Sequence, residues 1–302
     1  MDLRVSTFPT INGENISIRV LDKAAIQLKL EDLGFDPAIL KKFEELLQRP
    51  HGILLVTGPT GCGKTTTLYA ALKTINAVEK NVITLEDPVE YRIPRVRQSQ
   101  VDVKSGLTFS NGLRSILRQD PDIILIGEIR DLETSEIAIH AALTGHMVFS
   151  TLHTNDAPGA LTRLVDMGVE PFLTASSVVG VLGQRVVRTL CSKCKEPYAA
   201  PPEALKNLGI PAGQKVTLYR TKGCEECKQT GYRGRTSVHE LMETTDAIRD
   251  LLIRKASSRE VKDQAVKDGM TTLRKGGIAK ALKGITSIEE VLRVTKHDFE
   301  ET

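Results

Sequence analysis

Residues Gly58 to Thr66, GPTGCGKTT, lie between an apolar run (Ile53, Leu54, Leu55, Val56) and a helix-favouring stretch (Leu68, Tyr69, Ala70, Ala71, Leu72). A strand is therefore expected to enter a helix through a glycine-rich turn, and G-x-x-x-x-G-K-T in that setting is a phosphate-binding loop. Gly58, Gly61 and Gly63 permit the tight turn that aims main-chain N–H groups and the helix N-terminus at phosphate oxygens. Pro59, Thr60, Cys62 and Thr66 complete the nucleotide-binding cradle. Lys64 is expected to reach the β- and γ-phosphates, and Thr65 a magnesium ion.

The surrounding pattern fixes the fold class as α/β. From His51 to about Arg188, the apolar runs Ile53 to Thr57, Asn81 to Leu85, Ile123 to Gly127 and Met147 to Leu152 each precede a turn or helix. Such alternation implies a mostly parallel, helix-covered sheet whose ligand sits at the strands' C-terminal ends. Upstream, Arg4 to Phe8 and Asn15 to Leu21 alternate in character around Asn12-Gly13, a hairpin signal. A lone hairpin is barely stable, so residues 1–23 are expected to be the closing strands of an upstream domain. Residues 24–50 then form a linker and a helix opened by Asp36-Pro37. The nucleotide core spans 51–188. Paired cysteines, prolines and glycines mark 189–235 as a small loop-rich subdomain, and helical patterns (Ala247 to Lys255, Ser258 to Lys267, Ser287 to Val294) fill 236–302.

Composition excludes little. At 302 residues and 40% hydrophobic, the chain can bury a sizeable core, on a prior of ~150 residues per domain. The 41 basic and 38 acidic residues leave a net charge of +3, too balanced to signal nucleic acid. There is no Trp and aromatics are 4%, so no basic-aromatic strip argues for single-stranded nucleic acid. No apolar stretch approaches the ~20 residues of a membrane span, and no signal-peptide pattern is present. A cytoplasmic location follows as the expectation.

Two further clusters carry chemistry. The segment ITLEDPVEY puts Glu86, Asp87 and Glu90 just past a strand end, where a carboxylate could polarise attacking water, and Glu90 is the chosen base. The strand Ile123 to Ile126 ends in Gly127-Glu128, an arrangement that holds magnesium directly or through water. Cys191-x-x-Cys194 and Cys224-x-x-Cys227 form two ligand pairs. Four thiolates suit tetrahedral Zn²⁺ and leave no open position, so the metal would be structural; a redox role would need one reactive pair rather than two.

The segments GPTGCGKTTTLYAAL, ITLEDPVEY, LRQDPDIILIGEIRD and GHMVFSTLHTNDA occur in the order and spacing of Walker A, Asp box, Walker B and His box motifs. On these four motifs the chain resembles the GspE/PilB family of type II secretion and type IV pilus assembly ATPases over nearly all of its length. The resemblance implies a RecA-like P-loop core and Mg²⁺-dependent ATP hydrolysis by a homo-hexamer. It implies docking on the cytoplasmic face of the inner membrane, through platform and recruiting proteins of a secretion or pilus machine. It makes Glu90 the catalytic glutamate with Glu86 and Asp87 positioning it, and it places His146 and His153 where an imidazole could bond the γ-phosphate or sense its loss. It likewise brings Arg4 and Arg19, on the opening hairpin, toward the phosphates.

The same resemblance supports zinc at the four cysteines, an element that pilus-retraction relatives generally lack. The stretches QRVVRTLCSKCKEPY and VLRVTKHD look closer to the secretion enzyme, with pilus extension the alternative. One departure is Cys62, where the family usually has serine; a thiol beside a helix N-terminus and a lysine is expected to gain thiolate character. A nucleic-acid translocase and a zinc-held nucleotide-switch scaffold stand as competing classes.

Overall fold

A computed structural model of the protein describes residues 2–21, 28–75, 77–200 and 216–295. The expected linker residues 22–27, the stretch 201–215 of the cysteine subdomain and the end 296–302 lie outside the described residues. The chain opens with the hairpin β1 (Asp2–Thr10) and β2 (Gly13–Leu21), then α1 (Pro37–Leu47), β3 (Gly52–Thr57) and α2 (Lys64–Thr74). Next come β4 (Val82–Glu86), β5 (Arg97–Gln100), α3 (Phe109–Ile116), β6 (Ile123–Ile126), α4 (Leu132–Leu143), β7 (Met147–Leu152), α5 (Ala157–Asp166) and α6 (Pro171–Ser177). The remainder is β8 (Val178–Leu190), β9 (Lys195–Ala199), β10 (Thr217–Thr221), β11 (Tyr232–Glu243), α7 (Asp246–Ile253), α8 (Ser258–Lys267), α9 (Leu273–Leu282) and α10 (Ile288–Val294).

Seven strands form one sheet in the order β11-β8-β3-β7-β6-β4-β5. Every pairing is parallel except β11 with β8. Strands β3, β4, β6 and β7 are buried along their whole length, which explains why they appear in sequence as continuous apolar runs and not as alternations. Period-2 geometry divides their side chains between two cores. Ile53, Leu55, Ile124, Ile126 and Val148 face the layer built by α3 to α8. Leu54, Val56, Leu125 and Phe149 face α1 and α2.

Helix starts follow their capping chemistry. Asp36, Asp131 and Asp156 accept N–H bonds from Ala38, Thr134 and Gly159, closing the first turns of α1, α4 and α5. The two long strands β8 and β11 are not apparent from local pattern. β8 runs through the expected boundary at 188/189 and β11 through the one at 235/236, so the sheet continues into the residues assigned to the cysteine and helical parts. In the opening hairpin Arg4 and Arg19 are direct cross-strand partners, closer in register than their sequence positions suggested; their side chains lie outside the described residues.

The segment before α1 is clamped to the far edge of the sheet. Phe35 stacks on His239 of β11 with ring centroids 3.6 Å apart, and Lys280 of α9 donates to the Gly34 carbonyl. His239 is buried, and among the described residues neither ring nitrogen has a hydrogen-bond partner. Burial, reinforced by the Lys280 charge, holds its pKa down at about 3. The folded state therefore accepts only the neutral ring. Its contribution is intact above the unfolded value near 6.5 and is lost as pH falls toward 3. Between pH 7 and pH 5 the wild-type protein should lose about 2 kcal/mol of stability that a His239→Phe variant keeps, as measured by urea unfolding at the two pH values. Equal losses in both proteins would rule this out.

Candidate functional site

The loop between β3 and α2 is bridged by its own lysine. Lys64 donates from Nζ to the carbonyls of Gly58 at 2.8 Å and Pro59 at 3.3 Å. Gly63 supplies the N-cap of α2 in the left-handed region, and Thr65 is exposed on the first turn. Gly58 is required on steric grounds as well as conformational ones. A Cβ there would lie 2.5 Å from the Gln184 carbonyl and 2.6 Å from the Cys62 sulfur.

Two residues of β8, both missed by the sequence reading, hold the loop in shape. Gln184 accepts from Thr67 Oγ1 at 2.7 Å and donates to the Cys62 carbonyl at 2.7 Å. Arg185 lies behind Gly58 and donates to the carbonyls of Gln184 and Asn155. Their only signal is a polar pair interrupting the apolar run VVGVLGQRVV.

Cys62 departs from expectation. Its side chain is 4% exposed, packed against Gly58. Burial raises its pKa, and the charges of Lys64 and Arg185 only partly offset that rise. The thiolate character expected from a helix N-terminus is therefore overruled by desolvation. Lys64 is pushed the other way by burial, opposed by Cys62 and Glu128.

The acidic residues sort by depth. Glu86 is 2% exposed, and its oxygens accept from Tyr69 Oη, Thr84 Oγ1 (2.5 Å) and Gln98 Nε2 (3.2 Å). A carboxylate so engaged is an anchor, the arrangement expected of a residue that positions Glu90 through Tyr69. Tyr69 belongs to α2, and its hydroxyl also receives the Glu90 N–H at 3.3 Å. The helix launched by the phosphate loop thus fixes the position of the Glu90 backbone. Among the described residues the Glu90 carboxylate makes no hydrogen bond or ion pair. Burial and the Glu86 charge push the hydroxyls of Tyr69 and Tyr91 upward, Tyr91 to about 12, so both stay protonated donors.

Glu128 follows β6 at the same sheet edge, close enough to Lys64 for their charges to interact. One oxygen pairs with Arg130 and the other lies 3.3 Å from His153 Nε2. Neighbouring loops are pinned together beneath it. Gly127 N–H donates to Leu85 O, Thr151 Oγ1 donates to Gly127 O, and Thr57 Oγ1 receives the Thr154 N–H.

His146 does not join this group. It precedes β7, whose first residue pairs with the first residue of β3, so it sits at the N-terminal edge, roughly 20 Å along the strand from the loop. There its Nδ1 lies 2.8 Å from Ala141 O at the end of α4. The expected pair of site histidines therefore splits, because a six-residue strand separates them.

Away from this edge, Cys191, Cys194, Cys224 and Cys227 converge, with all four Sγ atoms within 4.8 Å of one another. Observed separations of 3.6, 3.8 and 3.9 Å match the tetrahedron edge of about 3.8 Å that follows from 2.3 Å Zn–S bonds. Burial works to raise Cys227, but N–H groups of Cys224 and Gly231 and the neighbouring thiols outweigh it and hold the sulfur at about 6. The donor set fits a closed, four-thiolate metal site.

The family model described as "Type II/IV secretion system protein" matches residues 1–293. The chain is 53% identical over 298 residues to type II secretion system protein E of Pseudomonas aeruginosa, covering 99% of this chain and 59% of that protein. It is 51% identical over 297 residues to type IV pilus assembly ATPase PilB of Thermus thermophilus, covering 98% of this chain and 33% of that protein. The chain thus spans about three-fifths, or less, of the length of these relatives. Among solved structures, the pilus retraction motor PilT with bound ADP superposes with a TM-score of 0.70 at 26% identity, covering 99% of this chain and 80% of that one. The Legionella pneumophila ATPase DotB gives 0.69 at 22% identity over 98% of this chain and 72% of that one, a likeness of fold.

If the Cys62 thiol is as buried as its packing implies, iodoacetamide at pH 8 should label it at least about tenfold more slowly in the folded chain than in the urea-unfolded chain. Equal rates, read by mass spectrometry, would restore the reactive-thiol expectation.

Proposed function

The chain belongs to the type II/IV secretion system protein family, and on that premise we propose that it binds Mg·ATP at Gly58 to Thr66 and hydrolyses it. The observation that carries this reading is that one sheet edge gathers Lys64, Glu128, His153 and the Glu90 segment, with Glu90 tied through Tyr69 to the helix leaving the phosphate loop. Main-chain amides and Lys64 hold the triphosphate; Thr65 and Glu128 are the residues that would hold magnesium, which neutralises charge developing on the phosphates. Glu90 takes the proton of the attacking water as its oxygen bonds to the γ-phosphorus and the bond to the ADP oxygen breaks. His153, beside Glu128, is suited to register loss of the γ-phosphate. Arg4 and Arg19, paired across the hairpin, act as arginine fingers.

The wider role follows from the family. We assign a hexameric motor for type II secretion, with type IV pilus extension the alternative that 51% identity to a pilus assembly ATPase keeps in play. No helix among the described residues is long and apolar enough to cross a membrane. The partners this reading assigns are an inner-membrane platform and recruiting proteins, met on the cytoplasmic face. Cys191, Cys194, Cys224 and Cys227 are the residues that would hold a structural Zn²⁺, which would tie the 191–194 and 224–227 turns together.

Phosphate release separates the parts of this reading. Lys64→Ala and Glu90→Gln should each lower turnover by about 10² to 10⁴, and Arg4→Ala or Arg19→Ala by ~10³ or more at saturating ATP. Tyr69→Phe should cost roughly tenfold in kcat with ATP affinity unchanged, since it releases the Glu90 segment without touching the phosphate loop. Wild-type turnover in Glu90→Gln would remove Glu90 as the base.

Metal analysis should find one zinc per chain. Cys227→Ser should lose it and lower the melting midpoint by about 5–8 °C, equivalent to roughly 3–5 kcal/mol at this size. A metal-free native protein with an unchanged melting point in chelator would exclude the zinc site.

A further inference from the structure

Glu240 is buried in β11, and its two oxygens go to two different helix N-termini. Oε1 accepts the N–H of Ala157 at 2.7 Å, the first residue of α5; Oε2 accepts the N–H of Leu273 at 3.0 Å, the first residue of α9. Burial and the nearby Asp156 push its pKa up to about 7, against the pull of the two N–H groups and Lys262. A buried carboxyl is costly where an apolar side chain would fill the space. What it does that an apolar side chain cannot is tie two backbone ends to one rigid group.

The sheet makes room for it. Gly183 of β8 is the register partner of Glu240 on one side and of Thr57, at the base of the phosphate loop, on the other. A Cβ on Gly183 would lie 2.9 Å from Glu240 Cγ and Oε1. Thr57, Gly183 and Glu240 thus form one row across β3, β8 and β11.

Connected contacts run to either side of Glu240. Toward the phosphate loop, His153 touches Glu128, Thr154 bonds Thr57, Arg185 donates to Asn155 O, and Thr154 Oγ1 donates to Asp156 O at 2.8 Å. The next residue is Ala157. Toward the C-terminal layer, α9 carries Lys280, whose Nζ donates to Gly34 O at 2.5 Å and to Thr236 Oγ1 at 3.3 Å. Gly34 precedes Phe35, whose ring stacks on His239, the neighbour of Glu240.

We propose that Glu240 is a positioning residue that couples the 153–157 segment of the phosphate site to α9, and through Lys280 to the segment around Gly34. A change in what Glu128 and His153 contact then shifts the N-terminus of α5. Glu240 passes that shift to α9, and α9 passes it to the chain entering α1. The path is a contiguous network with a defined joint, so it can be cut at one atom. This proposal rests on the reading that the loop binds Mg·ATP.

Glu240→Gln keeps the shape but leaves one acceptor oxygen for two N–H groups, so one helix N-terminus is released. The test is amide hydrogen exchange of the full chain with and without magnesium and a non-hydrolysable ATP analogue, alongside calorimetric affinity. In the wild type, nucleotide should slow exchange at residues 273–276 and 34–36 by about tenfold. In Glu240→Gln, affinity should stay within about threefold, protection at 58–66 should persist, and the response at 273–276 and 34–36 should vanish. Thr154→Val cuts the path on the nucleotide side and should give the same loss; it decides the matter if Glu240→Gln does not fold. Binding without any response at 273–276 in the wild type, or an intact response in the folded variants, overturns the coupling and leaves the nucleotide reading standing. Absence of Mg·ATP binding in the wild type overturns both.

Discussion

The phosphate loop depends on a clasp supplied by the neighbouring strand. A loop that presents its amides inward leaves carbonyls and a lysine ammonium facing the protein, and these need partners in a nearly dry setting. Gln184 meets one of them through the Cys62 carbonyl while holding Thr67 of the helix with its other end. Lys64 meets two more. Because β8 pairs directly with β3, the clasp is part of the sheet and its position is set by the sheet register.

The same edge uses burial to give similar side chains different jobs. Glu86, Glu90, Glu128 and Glu240 are all glutamates near strand ends or within strands. Glu86 and Glu240 are enclosed and spend their oxygens on fixed protein donors. Glu128 lies near the surface and faces Lys64 and His153, while Glu90 keeps its carboxylate uncommitted among the described residues. Carboxylates enclosed with fixed protein donors on both oxygens organise the fold, and those nearer the surface are available for chemistry. Tyr69 links the two kinds, bonded to Glu86 on one side and to the Glu90 amide on the other.

Much of this was legible in the residue order. The hairpin, the four apolar strands, the start of α1 and the four-cysteine cluster appear where pattern and spacing put them. His146 and Cys62 misled for a shared reason: each was interpreted by its neighbours in sequence. His146 lies seven residues before His153, and an extended segment of that length carries it to the opposite edge of the sheet. Cys62 has the neighbours of a reactive thiol, yet Gly58 and β8 close over it.

The residue order alone determined the parts whose physics is local: a glycine-rich turn that aims amides at phosphate, apolar runs long enough for buried strands, and thiol pairs spaced for one metal. Each needs only a few adjacent residues to be recognisable. Tertiary structure alone decided which distant groups meet. Gln184 reaches the phosphate loop from 122 residues away, Glu240 joins helices that start 83 residues before it and 33 after it, and β11 closes the sheet antiparallel to β8. Those contacts depend on strand order and register, which are selected by burying both faces of the whole sheet at once, and no window of neighbouring residues contains that constraint.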